Sequence, residues 1–424
     1  MISMPEKTKR FKAGSKTSPD VADVLIAGGG VAGLTLAVLL AGQGLSIHLV
    51  EPRPPAPLKD TSASSRTVAL MESSLNVLRA AGAEDLIDRY GTSLKAMRII
   101  DDSMPMRADI DAVFEASEIG RARFGANIPN DLIRAFLFER LLSLPSAQVH
   151  APAAIAQYTA APHDAEAVLD NGLRLRARVI IAADGKNSTL RSLAGIACDE
   201  KIYDQSAITC LIGHSRAHDH TATEFHRPAG PLAFVPMEGK ASSVVWIERH
   251  ERAEALMKLR RDEFIAALQE ASQDILGTLT LNSNPHIWPL RSLEARRLTA
   301  PRLALMAEAA HAMSPITAQG LNLSLRDVAT LAEVLVDAAR GGMDIGQDSV
   351  LRHYSQRRGL DISTRVMGVD RMNSLVSTDM LLLKRVRRGG LKAVAGIAPL
   401  KKFAAHQGLA PDMDAGRLMR GQAL

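Results

Sequence analysis

The chain has 424 residues, of which 46% are hydrophobic, 4% aromatic and 23% charged. This length predicts two domains, or one domain interrupted by another, around a large core. The 51 basic and 46 acidic residues give a net charge of only +5. A balance this even does not indicate a nucleic-acid partner, and so few aromatic side chains argue against a stacking platform for single strands. We therefore expect no nucleic-acid partner.

Cysteine usage and hydropathy bear on the compartment. The two cysteines, Cys198 and Cys210, cannot form a disulfide framework and are interpreted as small core residues. No apolar run reaches the ~18 residues that a bilayer span requires, and the polar start of the chain does not resemble a signal peptide. We therefore expect a cytoplasmic protein.

One segment suggests a membrane surface. The stretch "MLLLKRVRRGGLKAVAGIAPLKKF" at residues 380–403 combines leucines with many cations. A solvated helical face explains this composition as well as contact with anionic lipid does. Peripheral contact at the inner face of the plasma membrane is a further expectation.

The first elements in chain order form a strand–helix–strand unit. Residues 1–20 are predicted to be a disordered basic tail. The stretch "ADVLIAGGG" predicts a buried strand that runs into glycines, and "VAGLTLAVLLAGQG" predicts a helix that ends near Gly42 and Gly44. A second strand, "LSIHLVEP", closes at Pro52. Such a unit predicts parallel strands with a right-handed crossover.

The turn inside this unit has the spacing of a dinucleotide site. "GGGVAG" gives glycines in the pattern GxGxxG directly between strand and helix, and an acid stands at the end of the next strand. A pyrophosphate would lie at the helix N-terminus, and the acid would accept hydrogen bonds from ribose hydroxyls. The acid favours NAD or FAD over NADP, and this unit alone leaves NAD and FAD open. The predicted cofactor-binding residues are Gly28, Gly30, Val31, Ala32, Gly33 and Glu51.

The middle of the chain alternates helices and strands. "TVALMESSLNVLRAAGAEDLIDRYG" predicts two helices separated by a turn at Gly82, and "LKAMRIIDDS" predicts a strand. "PNDLIRAFLFERLLSL" predicts an amphipathic helix that is capped by Asn130 or Asp131 and ended by Pro145. Strand-like alternation follows, with a hairpin turn at Asn171-Gly172.

The second half continues this pattern. Residues 205–250 are predicted to be mainly strands, and residues 252–276 a single charged helix. "HIWPL" is interpreted as the return to the first domain, and the chain after 346 as helical. The predicted domains are a basic tail (1–20), a cofactor domain in three parts (21–95, 130–200, 288–342), a substrate-domain insertion (96–129), a substrate-binding β-sheet domain (201–287) and a C-terminal helical region (343–424).

Longer motifs make a family resemblance specific. "RLALMAEAAHAMSPITAQGLNLSLRDVATLAE" resembles the second flavin-binding motif of the class A flavoprotein aromatic hydroxylases, above all the ubiquinone-biosynthesis hydroxylase family. "SSRTVALMESSLNVLRAAG", "LIRAFLFERL", "VIIAADGKNSTLR" and "GPLAFVPMEGKASSVVW" are similar to further motifs of that family. The resemblance implies an α/β fold, in which a Rossmann-like FAD-binding domain is interrupted by a β-sheet substrate domain and followed by a helical C-terminal region.

The resemblance also implies roles for single residues. Glu308 would bond the ribitol hydroxyls of FAD, and the backbone at the start of the following helix would face the flavin pyrimidine edge. His311 is expected near the flavin, as a loop histidine that bonds the backbone. Arg53 is either a phosphate contact or a solvated charge. The complete set of further cofactor-binding residues is Arg53, Arg66, Arg134, Asp184, Glu308, Pro315, Gly320, Leu321 and Asn322.

Three positions depart from the family motif, which reads GDAAH and later GQG. Ala307, Glu308 and Ala318 stand where the family has glycine, aspartate and glycine. If either alanine position requires a positive φ, an alanine there is strained by roughly 1–2 kcal/mol. We expect FAD to bind nevertheless, but more weakly than in the family, and an inactive relative is the alternative.

The expected activity follows from the resemblance. It implies hydroxylation of a polyprenylated phenol or quinol with O2, through a flavin hydroperoxide, after transient reduction by NAD(P)H. Association with other ubiquinone-pathway proteins is a further implication. Three alternatives remain at this point: a hydroxylase of another aromatic substrate, a flavin-binding accessory protein without turnover, and an NAD-dependent dehydrogenase. No metal site is expected, because the histidines of "HSRAHDH" lack a second ligand cluster.

Overall fold

The computed structural model describes residues 21–61, 66–102, 111–313, 319–376 and 416–424. Several predictions lie outside the described residues: the basic tail, Pro315, Ala318 and the segment 380–403. Within the described ranges, no helix is both long enough and apolar enough to cross a membrane.

Strands are numbered along the chain. They are β1 (Ala22–Ala27), β2 (Ile47–Val50), β3 (Thr67–Met71), β4 (Thr92–Leu94), β5 (Ala96–Asp101), β6 (Asp111–Glu115), β7 (Gly125–Pro129), β8 (Ala147–His150), β9 (Ile155–Ala160), β10 (Ala165–Leu169), β11 (Arg174–Ala182), β12 (Cys198–His214), β13 (Thr221–His226), β14 (Leu232–Met237), β15 (Ala241–Arg249), β16 (Leu279–Leu281), β17 (His286–Ala295), β18 (Thr299–Ala300), β19 (Leu303–Leu305) and β20 (His311–Ala312).

Helices are numbered in the same way. They are α1 (Val31–Gly42), α2 (Glu72–Ala80), α3 (Glu84–Tyr90), α4 (Asn130–Leu142), α5 (Thr189–Leu193), α6 (His250–Met257), α7 (Arg261–Ala271), α8 (Gly320–Arg340) and α9 (Asp348–Val376).

The first sheet has eight strands with a parallel centre. Strands β19, β11, β1, β2 and β8 lie side by side in that order and pair in parallel, while β9, β10 and β18 pair antiparallel at its margins. The apolar runs of β1 and β11 are buried, as expected for strands covered on both faces. Helices α1 and α8 belong to the same core, which confirms the predicted α/β class.

The second sheet has nine strands and is largely antiparallel. Its order is β20-β17-β12-β15-β14-β13-β5-β6, with β16 paired to β12. Trp246 of β15 packs against Phe264 of α7, with ring centroids 6.2 Å apart, so α7 helps to cover one face of this sheet. Since side chains alternate along a strand, the neighbouring Ser243 and Val245 point to the opposite face.

A third, three-stranded sheet, β3-β7-β4, joins the other two. Thr67 Oγ1 of β3 donates to Ser243 Oγ at 2.7 Å, and Asn127 Nδ2 of β7 donates to the carbonyl of Pro236 at 3.0 Å. The face of the second sheet that lies opposite α7 therefore meets this small sheet. We call it the free face, because no helix covers it among the contacts described above.

Some predicted elements are wrong in detail. The first five residues of the segment predicted as helix, Thr67–Met71, form β3 because they pair with β7. Helix α4 has Pro129 at its N-cap position, so neither Asn130 nor Asp131 caps it. The segment 252–276, predicted as a single charged helix, forms the two helices α6 and α7. Glu263 accepts the N–H of Arg260 at 3.0 Å, and this bond caps the start of α7.

The predicted return to the first domain at "HIWPL" is also wrong. Those residues belong to β17, which pairs with β12 in the second sheet. The chain rejoins the first sheet only with β18 and β19. The run of apolar residues in β17 predicts a strand, but it does not reveal which sheet the strand joins.

A pair of histidines, His48 buried and His150 half-buried, lies at the edge of the first sheet. His48 Nδ1 of β2 and His150 Nε2 of β8 are 2.9 Å apart. Burial, with a smaller contribution from His150, lowers the pKa of His48 from 6.5 to about 4. Burial also lowers the pKa of His150. The unfolded chain therefore binds more protons than the folded chain as the pH falls from about 6.5 to 4, and folding is weakened over that interval.

We predict that His48→Gln flattens this pH dependence. The free energy of unfolding of the native chain should fall from pH 6.5 to pH 4 by up to about 3 kcal/mol more than that of the variant. Urea unfolding at several pH values measures the difference. The exposed His353 offers a control, because His353→Gln should keep the native profile. Parallel curves for the native chain and His48→Gln would contradict this prediction.

Candidate functional site

Four parallel strands of the first sheet end in register. Val50 pairs with Ala27, Ala27 with Ala182, and Ala182 with Leu305. The acid Glu51, the glycine turn (residues 28–33), Asp184 and the second turn (residues 306–311) directly follow these ends. Open α/β sheets bind ligands at the carboxyl ends of their strands. Both sequence motifs therefore come together at one edge, although they lie far apart in the chain.

The glycine turn has the geometry that the spacing predicts. Gly28 has φ +110°, and a Cβ at Gly33 would collide with the carbonyl oxygen of Gly28. A Cβ at Gly30 would meet no atom within 4 Å, so space is open above the turn. No side chain caps α1, and its first N–H groups, including those of Val31 and Ala32, face this space without an intrahelical partner.

Glu51 and Arg134 clamp the glycine turn. Glu51 is buried, its Oε2 accepts the N–H of Gly29 at 2.5 Å, and its Oε1 accepts the N–H of Arg53 at 2.7 Å. Arg134 Nη2 of α4 lies 3.2 Å from Glu51 Oε1, and its Nε donates to the carbonyl of Gly29 at 2.7 Å. The exposed Arg53 contributes its backbone to this clamp.

Asp184 holds the turn after β11 and keeps one oxygen unused. Its Oδ2 accepts the N–H of Leu190 at 3.1 Å, and its Oδ1 is buried without a hydrogen-bond partner. Such an orphaned buried acceptor is costly unless a ligand satisfies it.

Arg191 connects this turn to the second turn. The buried guanidinium donates through Nη1 to the carbonyl of Ala309 and through Nη2 to the carbonyl of Lys186, both at 2.9 Å. Arg191 was not assigned a role from the sequence, although it stands in the motif "KNSTLR" that marks the Asp184 turn.

The second turn contains the strain anticipated for an alanine in place of glycine. Ala307 has φ +53°, a left-handed conformation that costs an L-residue roughly 1–2 kcal/mol. It opens a short 3-10 turn, Ala307–Ala309, from which the exposed Glu308 projects. The N–H of Ala307 donates to Asp327 Oδ2 at 2.9 Å.

His311 bonds a buried carboxylate, not the backbone as expected. Its Nε2 lies 2.6 Å from Asp327 Oδ2, and Arg358 Nε of α9 donates to Asp327 Oδ1 at 2.7 Å. Burial alone would raise the pKa of Asp327, but His311 and Arg358 hold it below its ordinary value. The acid is therefore kept ionised beneath the second turn.

The same network reaches the start of α8. Asp361 accepts hydrogen bonds from Arg358 at 2.5 Å, Arg326 at 2.8 Å and Arg365 at 2.7 Å. Arg365 Nη1 also donates to Oε1 of Gln319, the N-cap residue of α8, at 2.9 Å. The arginines of α9 lie in no recognised motif, so the sequence offered no signal for them.

The predicted residues Gly320, Leu321 and Asn322 form the first turn of α8. Gly320 is exposed and Leu321 half-buried, whereas the side chain of Asn322 is engaged with β3. Its Oδ1 accepts the N–H of Met71 and its Nδ2 donates to the carbonyl of Ala69, both at 2.9 Å.

Arg66, at the start of β3, lies against the second sheet. Its guanidinium carbon is 5.1 Å from the ring centroid of Trp288, which remains 41% exposed. The indole N–H of Trp288 donates to Thr209 Oγ1 at 3.1 Å. The preceding Ile287 packs toward the α7 side, so Trp288 points to the free face.

The three histidines of "HSRAHDH" bond protein groups. His214 contacts the carbonyl of Arg216 at 2.7 Å and Ser242 Oγ at 3.1 Å. His218 contacts the carbonyl of Met237 at 2.8 Å, and His220 that of Ser93 at 3.1 Å. Within the described ranges, no group of three or more His, Cys, Asp or Glu residues could hold a metal ion.

The cysteines differ in surroundings. Cys210 is fully buried, and burial raises the pKa of its thiol to about 12, so it stays protonated. Cys198 is partly buried at the start of β12.

Comparison with known proteins agrees with this geometry. The family model described as "FAD binding domain" matches residues 21–368. A ubiquinone hydroxylase, UbiL of Rhodospirillum rubrum, is 35% identical over 409 residues, which cover 95% of this chain and 94% of that protein. The 3-demethoxyubiquinol 3-hydroxylase of Escherichia coli is 28% identical over 390 residues, covering 90% and 97%.

A solved structure shows the same fold. The p-nitrophenol 4-monooxygenase PnpA of Pseudomonas putida superposes with a TM-score of 0.75 at 18% identity, covering 92% of this chain and 98% of that one. The matched family model spans both motif turns and most of the described chain. The chain therefore belongs to the FAD binding domain family and is a FAD-dependent monooxygenase of the class A type.

Proposed function

We propose that this chain hydroxylates the aromatic ring of a polyprenylated ubiquinone precursor, with O2 as co-substrate and NAD(P)H as transient reductant. The main support is the edge where four strands end in register and bring both flavin motifs together. Relatives named as hydroxylases of ubiquinone biosynthesis, matched over nearly their whole length, support the substrate class.

The residues at this edge fit FAD. The open space at Gly30 and the uncapped start of α1 suit a pyrophosphate. Glu51 already accepts backbone N–H groups, and its oxygens retain lone pairs for ribose hydroxyls. The orphaned Asp184 Oδ1 would gain a partner from a bound dinucleotide or its water.

At the other end of the cofactor, Glu308 would accept hydrogen bonds from the ribitol chain, since it is exposed at the second turn. The first turn of α8 would place its positive dipole end against the flavin, which favours negative charge there. Bound flavin supplies the oxygen-activating and redox chemistry. The protein positions the ring and shields it from water.

The free face of the second sheet would hold the substrate. Trp288 offers a partly exposed aromatic surface next to Arg66, which directly precedes strand β3 of the small sheet. An indole of this kind suits an aromatic head group with an apolar tail.

Peripheral contact with a membrane and association with other enzymes of the same pathway complete the proposal. Both rest on the basic, leucine-containing composition of residues 380–403 and on the apolar nature of a polyprenylated substrate.

Gly30→Ala tests the pyrophosphate position. Gly30 has φ −72° and ψ 174°, which alanine adopts freely, so the apoprotein should keep its melting temperature. The added methyl would occupy the space above the turn and weaken FAD binding by ~10-fold or more, or about 1.4 kcal/mol. Fluorescence titration of the apoprotein measures this. Gly42→Ala at the other end of α1 also meets no atom and should bind FAD normally; equal affinity of both variants would refute the placement.

Gene deletion tests the proposed substrate. Mass spectrometry of the deletion strain should reveal an accumulated quinone precursor that lacks one hydroxyl. We expect Glu308→Asp to restore the final quinone at least as well as the native gene, because aspartate is the family acid, and Glu308→Ala to restore less. A normal quinone profile in the deletion strain would remove the ubiquinone assignment, and a dead Glu308→Asp variant would remove the role given to that acid.

Trp288→Leu tests the substrate face. The change keeps an apolar side chain but removes aromatic stacking, so KM for the prenylated phenol should rise ~10-fold with a smaller change in kcat. Substrate-stimulated NAD(P)H oxidation gives both constants. Ile202→Ser, which replaces the 79% exposed residue of neighbouring β12, is the matched control. An unchanged KM in Trp288→Leu would place the substrate elsewhere.

A further inference from the structure

The backbone of the second turn is fixed from several sides. Met306 N–H donates to the carbonyl of Ala182 at 3.0 Å, and the carbonyl of Leu305 accepts the hydroxyl of Tyr354 at 2.8 Å. The carbonyl of Ala309 accepts Arg191, and that of Ala310 accepts the N–H of Ala295 at 2.8 Å. Strained backbone persists only where its surroundings determine it in this way.

A further contact, to Asp327, acts directly on the strained Ala307. Asp327 is fully buried, and its Oδ2 accepts the N–H of Ala307 and also bonds Nε2 of His311. Its other oxygen is held by Arg358, which is itself buried. The carboxylate therefore pins both ends of the segment that carries Glu308.

We infer that Asp327 is a positioning residue for the cofactor: by holding Ala307 in a left-handed conformation, it fixes the turn from which Glu308 reaches FAD. Where the family motif has glycine, the turn adopts this conformation without strain. In this chain an alanine occupies the position, and the buried acid has to impose the conformation. The inference rests on the proposed contact between Glu308 and the ribitol chain.

The expected behaviour follows from where the strain is relieved. In Asp327→Asn the turn of the apoprotein can relax, and FAD must then restore the left-handed conformation on binding. The dissociation constant for FAD should rise roughly 5- to 30-fold, the factor that corresponds to left-handed strain. Adding Ala307→Gly should recover most of that loss, because glycine adopts the conformation freely.

The matched control is Ala309→Gly. Ala309 is buried in the same turn but is not among the residues with positive φ, so glycine there relieves no strain. It should not recover FAD affinity in the Asp327→Asn background. Titrating FAD into the folded apoprotein, and recording its melting temperature separately, distinguishes positioning from general stability. A structural role alone would lower the melting temperature and be insensitive to which alanine is replaced.

Two further variants keep the test decisive. If Asp327→Asn does not fold, Arg358→Lys loosens the same carboxylate while keeping a cation, and Ala307→Gly should again recover the loss of affinity. In a Glu308→Ala background, Asp327→Asn should have no further effect, because the two residues act in series. Equal recovery by Ala307→Gly and Ala309→Gly, or unchanged affinity in both Asp327→Asn and Arg358→Lys, would overturn the inference. Failure of the native chain itself to bind FAD would instead overturn the proposed function.

Discussion

The register of four parallel strands is the constraint on which the site depends. Because β2, β1, β11 and β19 end level with one another, the segments that follow them meet at one edge. Each ending is apolar and buried, so slippage by one residue would turn core side chains outward. The hydrophobic core thus sets the distance between the two ends of the cofactor site.

Sequence patterns predicted this edge well where the backbone itself makes the motif. Gly28 and Gly33 are required by a positive φ and a close backbone approach, so they are visible as glycines in a fixed spacing. The strain at Ala307 could be anticipated for the same reason. Strand β3 was mistaken for helix because its pairing with β7 is a long-range contact that local periodicity does not contain.

The supporting charges could not be predicted. Asp327, Arg358 and Asp361 form one buried network, yet the last two lie on α9, more than thirty residues beyond the acid that they serve. A buried arginine and an exposed arginine look alike in a helix of mixed polarity. Only packing reveals that α9 supports the turn carrying Glu308. Arg191 differs, because it stands in a recognised motif, but its bridge between Lys186 and Ala309 is visible only in the fold.

The small three-stranded sheet has a mechanical consequence. Strand β3 is bonded at Thr67 to Ser243 of the second sheet, and at Ala69 and Met71 to Asn322 of α8. Swinging the two large sheets apart would break these bonds together. These hydrogen bonds hold the first and second sheets together, so a substrate with a long hydrocarbon tail would have to enter at the rim between them without a hinge opening.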